Sequence, residues 1–335
     1  MLHFLRTILH PERYHGQRRA QRAPFFEGWY FKVIDPTGQH RLAVIPGIFW
    51  SNNPHAFVQV LDGTQGLAYY HEYPVGAFHA AEDSFDIRVG DNRFRAHEID
   101  LHIDRPDQRV AGTLYFEGNK PWPVTWRAPG IMGWYAWVPF MECYHGVVSL
   151  DHSVRGELDI DGQVVDFSGG RGYIEKDWGR SFPEAWIWFQ SNHFGEPGIS
   201  LTGSIAIIPW LRTAFPGFII GFYYNDHLYR FATYTGAKIE RLAVTDDTID
   251  WVVGDKNYRL EMLVQQGGGR QFGLLKGPDM ATMGKRVAET LSAAVAVQLT
   301  ERRTGHVVFS GTGQHAGLEV HEVGSRLLGM VDAVR

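Results

Sequence analysis

Short apolar runs, broken by turn signals and hardly ever spaced for a helix, set the bounds of what this chain can fold into. Strand-like segments recur at short intervals, among them residues 25–33, 41–49, 56–61, 110–116, 186–192, 199–208 and 218–224. Asp62-Gly63, Asp161-Gly162, Asn225-Asp226 and a triple glycine at 267–269 punctuate them. Composition points the same way, because 14% of residues are aromatic and 38 are glycine. Aromatic side chains favour strands, whereas glycine weakens a helix interior. Helical spacing is confined to the first nine residues and to 280–291, a stretch that reads equally well as a loop. The expectation is an all-β, mainly antiparallel protein in sandwich or barrel form, with few helices.

The chain length of 335 residues suits two domains of ordinary size. Phe26-Glu27-Gly28-Trp29-Tyr30-Phe31 is echoed by Pro183-Glu184-Ala185-Trp186-Ile187-Trp188 at close to half the chain. Either two aromatic strands resemble each other by chance or each echo opens a β domain. The second reading divides the chain into a basic arm (1–24) and two β domains (25–180 and 181–335). A single cysteine, Cys143, excludes an intrachain disulfide framework. A net charge of −5 and a pI near 6.3 argue against nucleic acid as a partner.

The apolar stretch 199–224 is cut by Pro209, Arg212 and Pro216, and so falls short of the ~18 uninterrupted apolar residues of a spanning helix. Two strands joined across 210–216 fit it better. Arg6 and His10 interrupt the N-terminal apolar run, so it does not read as a signal peptide. A cytoplasmic protein is expected, with peripheral membrane contact as a further expectation. Leu2, Leu5, Ile8 and Leu9 lie at helical spacing, and five arginines face one acid over residues 1–22. That arm reads either as packed on the body or as touching a membrane surface. The turn carrying Trp210, Leu211, Arg212 and Phe215 has the same two readings.

Familiar catalytic and metal-binding motifs are missing from the sequence. Sixteen histidines include no His-Glu-x-x-His, and there are no paired cysteines, so no metal site is expected. Residues 277–285 have the wrong glycine spacing for a phosphate loop, and no Gly-x-Ser-x-Gly elbow occurs. Asp159-x-Asp161-Gly162 begins like a calcium loop but lacks the terminal Glu.

One stretch is dense in useful side chains: Gly172-Tyr173-Ile174-Glu175-Lys176-Asp177-Trp178-Gly179. If extended, it places Tyr173, Glu175 and Asp177 on one face, with neighbouring carboxylates roughly 6–7 Å apart. In an aromatic cavity, burial and mutual repulsion would keep one of these acids protonated at neutral pH. Such an acid can protonate an electron-rich substrate. A solvated Glu-Lys-Asp run at a strand end, and a paired-carboxylate glycan site, are the other readings.

Several long blocks resemble the tocopherol cyclase family. They are Phe25-Phe26-Glu27-Gly28-Trp29-Tyr30-Phe31-Lys32, Ala128-Pro129-Gly130-Ile131-Met132-Gly133, Val138-Pro139-Phe140-Met141-Glu142-Cys143, and His145-Gly146-Val147-Val148-Ser149-Leu150-Asp151-His152-Ser153. Glu175-Lys176-Asp177-Trp178-Gly179 with Ser181-Phe182-Pro183, and Ala316-Gly317-Leu318-Glu319-Val320, complete the set. They run in order over nearly the whole chain. The family belongs to a lipocalin-like group that also contains carotenoid hydratases. The resemblance implies two lipocalin- or calycin-like β domains around a hydrophobic ligand cavity.

It further implies an isomerase that closes a prenyl or phytyl benzoquinol to a chromanol, as in vitamin E synthesis. A general acid protonates the alkene nearest the ring, and the phenolic oxygen captures the tertiary cation. No cofactor is required. Aromatic faces stabilise such a cation by roughly 1–2 kcal/mol each when desolvated. A carrier of prenylquinones or other hydrophobic ligands, without catalysis, is the alternative. The group's Tyr-x-Asp-His-x-Trp-Gly pattern falls on Tyr173, Glu175, Lys176, Trp178 and Gly179. Glu175 is therefore the better candidate for proton donor. Asp177, which stands where the plant cyclases have Asn, is a partner to it, and Lys176 replaces the group's His. Tyr173, Lys176, Trp178, Glu27, Trp29, Tyr30, Glu142 and His145 are the expected substrate contacts.

Overall fold

The structure is a computed structural model describing residues 7–16, 23–267 and 271–334. Half of the basic arm, including Leu2, Leu5, Arg6, Arg18, Arg19 and Arg22, lies outside the described residues. The first sheet contains β1 (Phe25–Ile34), β2 (Arg41–Trp50), β3 (His55–Asp62), β4 (Leu67–Tyr73), β5 (Phe78–Ala80), β6 (Asp86–Val89), β7 (Asn92–Arg95), β8 (Glu98–Arg105), β9 (Gln108–Glu117), β10 (Cys143–Ile160), β11 (Gln163–Asp166) and β12 (Gly170–Gly179). The second contains β13 (Trp186–Ser191), β14 (Ser200–Trp210), β15 (Thr213–Tyr224), β16 (His227–Ala232), β17 (Lys238–Val244), β18 (Thr248–Gly254), β19 (Tyr258–Gln265), β20 (Gly273–Gly277), β21 (Lys285–Glu301) and β22 (Val307–His321). The protein is all-β, built of two antiparallel lipocalin-like sheets, as the turn-punctuated pattern leads one to expect.

By contacts the chain divides into two compact units. One is 1–182 with 273–287, and the other is 183–272 with 288–335. The two sheets share a wiring plan. The first runs β4-β3-β2-β1-β12-β10-β9-β8-β7-β6-β5, so the opening strand β1 pairs with the closing strand β12. The second runs β16-β15-β14-β13-β22-β21-β19-β18-β17, where β13 likewise pairs with β22. The aromatic echo occupies this same place twice, with Trp29 opposite Lys176 and Trp186 opposite His321.

Each unit has its own core. Trp29, Phe31, Val44, Val58, Leu114 and Ile174 anchor the first. Phe189, Leu201, Ile220, Trp251, Leu299 and Leu318 anchor the second. Gln59 holds the 273–287 segment to the first unit. Its side-chain amide donates to the Lys276 carbonyl at 3.0 Å and accepts from the Lys276 N–H at 2.7 Å.

The stretch 280–291 is not helical, and β21 starts within it. Val287, Glu289, Leu291, Ala293, Val295, Val297 and Leu299 are all buried, a period of two. A helix lies instead near the end of the second unit, α1 (Ser325–Val334), burying Leu327 and Val331 at i, i+4. Asp161 (φ 51°) and Gly162 (φ 87°) supply the two left-handed residues of the β10–β11 hairpin. Among the described residues no helix is long and apolar enough to cross a membrane.

Candidate functional site

Strands β1, β12 and β10 lie side by side, so side chains of like parity form rows across them. Phe26, Gly28, Tyr30 and Lys32 stand opposite Gly179, Asp177, Glu175 and Tyr173. Cys143, His145 and Val147 stand opposite Gly179, Asp177 and Glu175 on the other side. One face of the sheet therefore collects Tyr173, Glu175, Asp177 and His145, with Tyr30 and Lys32 beside them.

These groups form a chain of contacts, hydrogen-bonded at its two ends and within ion-pair range between Glu175 and His145. The Tyr173 hydroxyl donates to Glu175 Oε2 at 2.5 Å. His145 Nε2 lies 3.5 Å from that same oxygen, and His145 Nδ1 lies 2.8 Å from Asp177 Oδ1. The imidazole thus has a carboxylate at each nitrogen. With Nδ1–H donated to Asp177, its Nε2 faces Glu175 as an acceptor, and one proton can pass between the two. Exposure grades along the chain. The Glu175 side chain is 6% exposed, His145 14% and Asp177 30%, so the group opens toward the Gly179 end of β12.

The same face continues into an aromatic cluster of Phe26, Phe49 and Phe57, against which Cys143 packs. Its seat is a pair of cross-strand glycines, Gly28 and Gly47. A Cβ on Gly47 would run into the Phe57 ring and the Glu27 carbonyl, so only glycine leaves room for that ring. Burial, reinforced by Asp177 and Glu142, pushes the Cys143 thiol well above its usual range, which leaves it a poor nucleophile. Glu142 is half-buried just before β10, and its carbonyl accepts the Arg180 N–H at 2.8 Å.

The other face holds the remaining expected residues. Lys176 and Glu27 are both fully buried, with Lys176 Nζ 2.5 Å from Glu27 Oε1. Nζ sits 4.4 Å from the Trp178 ring centroid and 5.0 Å from that of Trp29. It also donates to the Arg13 carbonyl and, at 2.6 Å, to His15 Nδ1. The His15 N–H donates to both Glu27 oxygens, at 2.8 and 3.0 Å. The His15 ring stacks on Trp178 at 4.4 Å, and the Trp29 indole donates to the Glu12 carbonyl at 2.9 Å. Burial pushes Lys176 down to about 8, against the opposing pull of Glu27. Burial would raise Glu27, but Lys176 and His15 outweigh it and hold the carboxyl below its ordinary value. At neutral pH the two form an ion pair. Burial, helped by Lys176, lowers His15 to about 4, which fits a neutral ring accepting at Nδ1 and donating from Nε2 to the Thr7 carbonyl at 3.0 Å.

The ten expected residues therefore separate. Glu175, Asp177, Tyr173, Tyr30 and His145 share the first face. Glu27, Trp29, Lys176 and Trp178 lie on the second, where they fix residues 12–15 to the sheet. Glu142 borders the first face through its backbone. Two residues that sequence reasoning left unassigned join these groups: Lys32, fully buried opposite Tyr173, and His15. The block from Phe25 to Lys32 contained the first signal, whereas nothing in the arm marked His15. His152 is elsewhere, packed on Phe116 at 4.5 Å, with burial pushing it down to about 3. Among the described residues, His145, Glu175 and Asp177 also form the one three-member group whose donor atoms, all within 4.8 Å, could hold a cation.

A family model described as tocopherol cyclase-like matches residues 118–322, a span that includes His145, Glu175 and Asp177. The chain is 26% identical over 206 residues to the probable chloroplastic tocopherol cyclase of Oryza sativa subsp. japonica, covering 59% of this chain and 43% of that one. It is 25% identical over 207 residues to the chloroplastic tocopherol cyclase of Zea mays, covering 56% and 41%. The matches thus span less than half the length of these relatives. Among solved structures, CghA with Sch210972 superposes with a TM-score of 0.56 at 12% identity, over 89% of this chain and 88% of that one. Kievitone hydratase from Nectria haematococca gives 0.50 at 10% identity, over 93% and 94%. These two likenesses concern the fold. Matched by its family model over more than half of its length, this chain belongs to the tocopherol cyclase-like family.

Proposed function

We propose that the protein is an intramolecular cyclase that closes a prenylated or phytylated benzoquinol to a chromanol, with Glu175 as the proton donor. The observation that carries this reading is the contact chain Tyr173–Glu175–His145–Asp177 beside a buried aromatic cluster. Glu175 gives its proton to the alkene CH, and the positive charge develops at the tertiary carbon. The Tyr173 hydroxyl then donates to the carboxylate left behind and stabilises it. The phenolic oxygen attacks the cation and forms the C–O bond. Its proton passes to His145 Nε2, whose charge Asp177 balances, and from there returns to Glu175. One proton enters at carbon and one leaves from oxygen, so the reaction is an isomerisation with no net redox change. Family membership supports this substrate class. Tyr30, Lys32 and the Phe26–Phe49–Phe57 cluster would border the quinol and its tail.

The direct test is incubation with a reduced phytylbenzoquinol, with chromanol followed by chromatography. In deuterium oxide the product should carry one non-exchangeable deuterium, on the carbon next to the new quaternary centre. Quinol recovered unchanged but bound to the protein would favour the carrier reading instead.

Because no step runs through a metal, a chelator should leave the turnover of pre-reduced quinol unchanged. His145 Nδ1 and Glu175 Oε2 are already engaged by Asp177 and Tyr173. Activity lost to chelator and restored by a divalent cation would instead assign the His145–Glu175–Asp177 group to metal catalysis.

A further inference from the structure

The segment between β9 and β10 carries an unusual surface. Residues 118–141 contain four of the eleven tryptophans, at 122, 126, 134 and 137. Part of the segment is core, since Trp122, Ile131, Met132 and Met141 are buried. With these held, the loop turns its other rings outward. Trp126 is 68% exposed, Phe140 51% and Trp134 45%. Among the described residues, these are all the exposed Trp and Phe side chains; the other exposed large apolar groups are scattered aliphatics and Tyr115. Isolated exposed apolar residues are ordinary, whereas three large rings on one anchored loop mark an interaction surface.

Charge narrows the choice of partner. From Gly118 to Met141 the chain has Lys120 and Arg127 and no acid, although the whole protein is net negative. The Arg127 guanidinium lies over the Trp126 ring at 4.9 Å, and the Trp137 indole donates to the Trp126 carbonyl at 2.9 Å, fixing that corner. Exposed indoles with an adjacent cation and no carboxylate suit the boundary of an anionic bilayer, where aromatic rings sit among headgroups. The loop also runs directly into β10, three residues before which lies Phe140 and on which His145 is the third residue. It therefore adjoins the Gly179 end of β12, toward which the Asp177 end of the site opens.

We propose that the 121–140 loop is a docking surface for an anionic lipid bilayer, with Trp126, Trp134 and Phe140 inserted at headgroup depth and Arg127 paired with lipid phosphate. Docking rests on the loop alone and does not depend on the reaction assigned to Glu175. Of the two segments expected from sequence to meet a membrane, half of the arm lies outside the described residues, and the 210–216 turn offers fewer exposed rings. Trp210 packs on Phe215 at 6.0 Å, leaving Leu211 as the one large apolar side chain exposed on that turn, beside an exposed Arg212.

The experiment uses vesicles of phosphatidylcholine, with and without phosphatidylglycerol. The full chain should cosediment preferentially with the mixed vesicles, less so in high salt, and brominated acyl chains should quench its tryptophan fluorescence. Combined Trp126→Ala, Trp134→Ala and Phe140→Ser should lower the partition by about tenfold or more, because it scales with the apolar area inserted. Arg127→Gln should lower it by about fivefold, the scale for one basic residue, and only on the mixed vesicles. Leu211→Ser should leave binding unchanged. The exposed positions should leave the denaturation midpoint of each variant near wild type, and Arg127→Gln serves as the independent reading if the triple variant does not fold. Failure of the wild type to bind either vesicle would overturn the proposal, as would triple-variant binding equal to wild type. Self-association abolished by the triple variant, without vesicle binding, would overturn it in favour of a second copy.

Discussion

Glu175→Gln should keep the fold and lower turnover of the quinol by at least about 100-fold, the lower scale for losing a general acid. Gln preserves the shape and can still accept from the Tyr173 hydroxyl, but it has no proton to give. Tyr173→Phe should cost less, because it removes only the donor that steadies the Glu175 carboxylate after transfer. Asp177→Asn should also cost less. The amide oxygen can still accept from His145 Nδ1, so ring orientation survives while charge balance for the imidazolium is lost. The comparison is read as turnover at saturating quinol, with denaturation midpoints measured alongside. An inactive Asp177→Asn beside a nearly active Glu175→Gln would reverse the assignment and make Asp177 the donor.

The site was legible in sequence to the extent that it is local. Period-two alternation alone places Tyr173, Glu175 and Asp177 on one face, and the structure bonds the first two of them directly. It cannot supply His145, which reaches Asp177 through a β10–β12 pairing that bridges 32 residues of sequence and passes register shifts after Val147. The same alternation puts Lys176 and Trp178 on the opposite face, but it does not say what covers them. That cover is His15 and the carbonyl of Arg13, from an arm whose composition resembled any basic tail. The strand over 285–301 was obscured because its first residues, considered alone, also fit helical spacing. Its alternation becomes plain only from Val287 onward, once its full length is taken. Within residues 121–139, only the structure separates the buried Trp122 from the exposed Trp126 and Trp134.

Glu27→Gln should destabilise the first unit by about 3–5 kcal/mol, the usual cost of stranding one member of a buried ion pair. Lys176 is fully buried, so its charge would then face two indole rings, a carbonyl and a neutral imidazole, with no carboxylate in contact. Replacing both members, Glu27→Gln with Lys176→Met, should recover much of that loss, because no uncompensated charge remains. Hydrogen exchange along β1 and β12 would localise the effect. Full loss in the double variant would mean that packing around the pair, rather than its charge, is what matters. The same cluster fixes a pH dependence. His15 titrates near 4 in the folded protein against an ordinary 6.5, so the unfolded chain binds more protons between those values. The His15 contribution is then complete above pH 6.5 and is lost as pH falls toward 4, while Lys176, lowered to about 8, titrates above neutrality. The lowered Glu27 pKa adds loss of the same sign below its usual 4.5. His15→Phe keeps a ring to stack on Trp178 but has nothing to protonate, so the slope of stability between pH 6.5 and 4 should flatten even if the absolute value drops. An unchanged slope would place the acid sensitivity of the first unit outside this cluster.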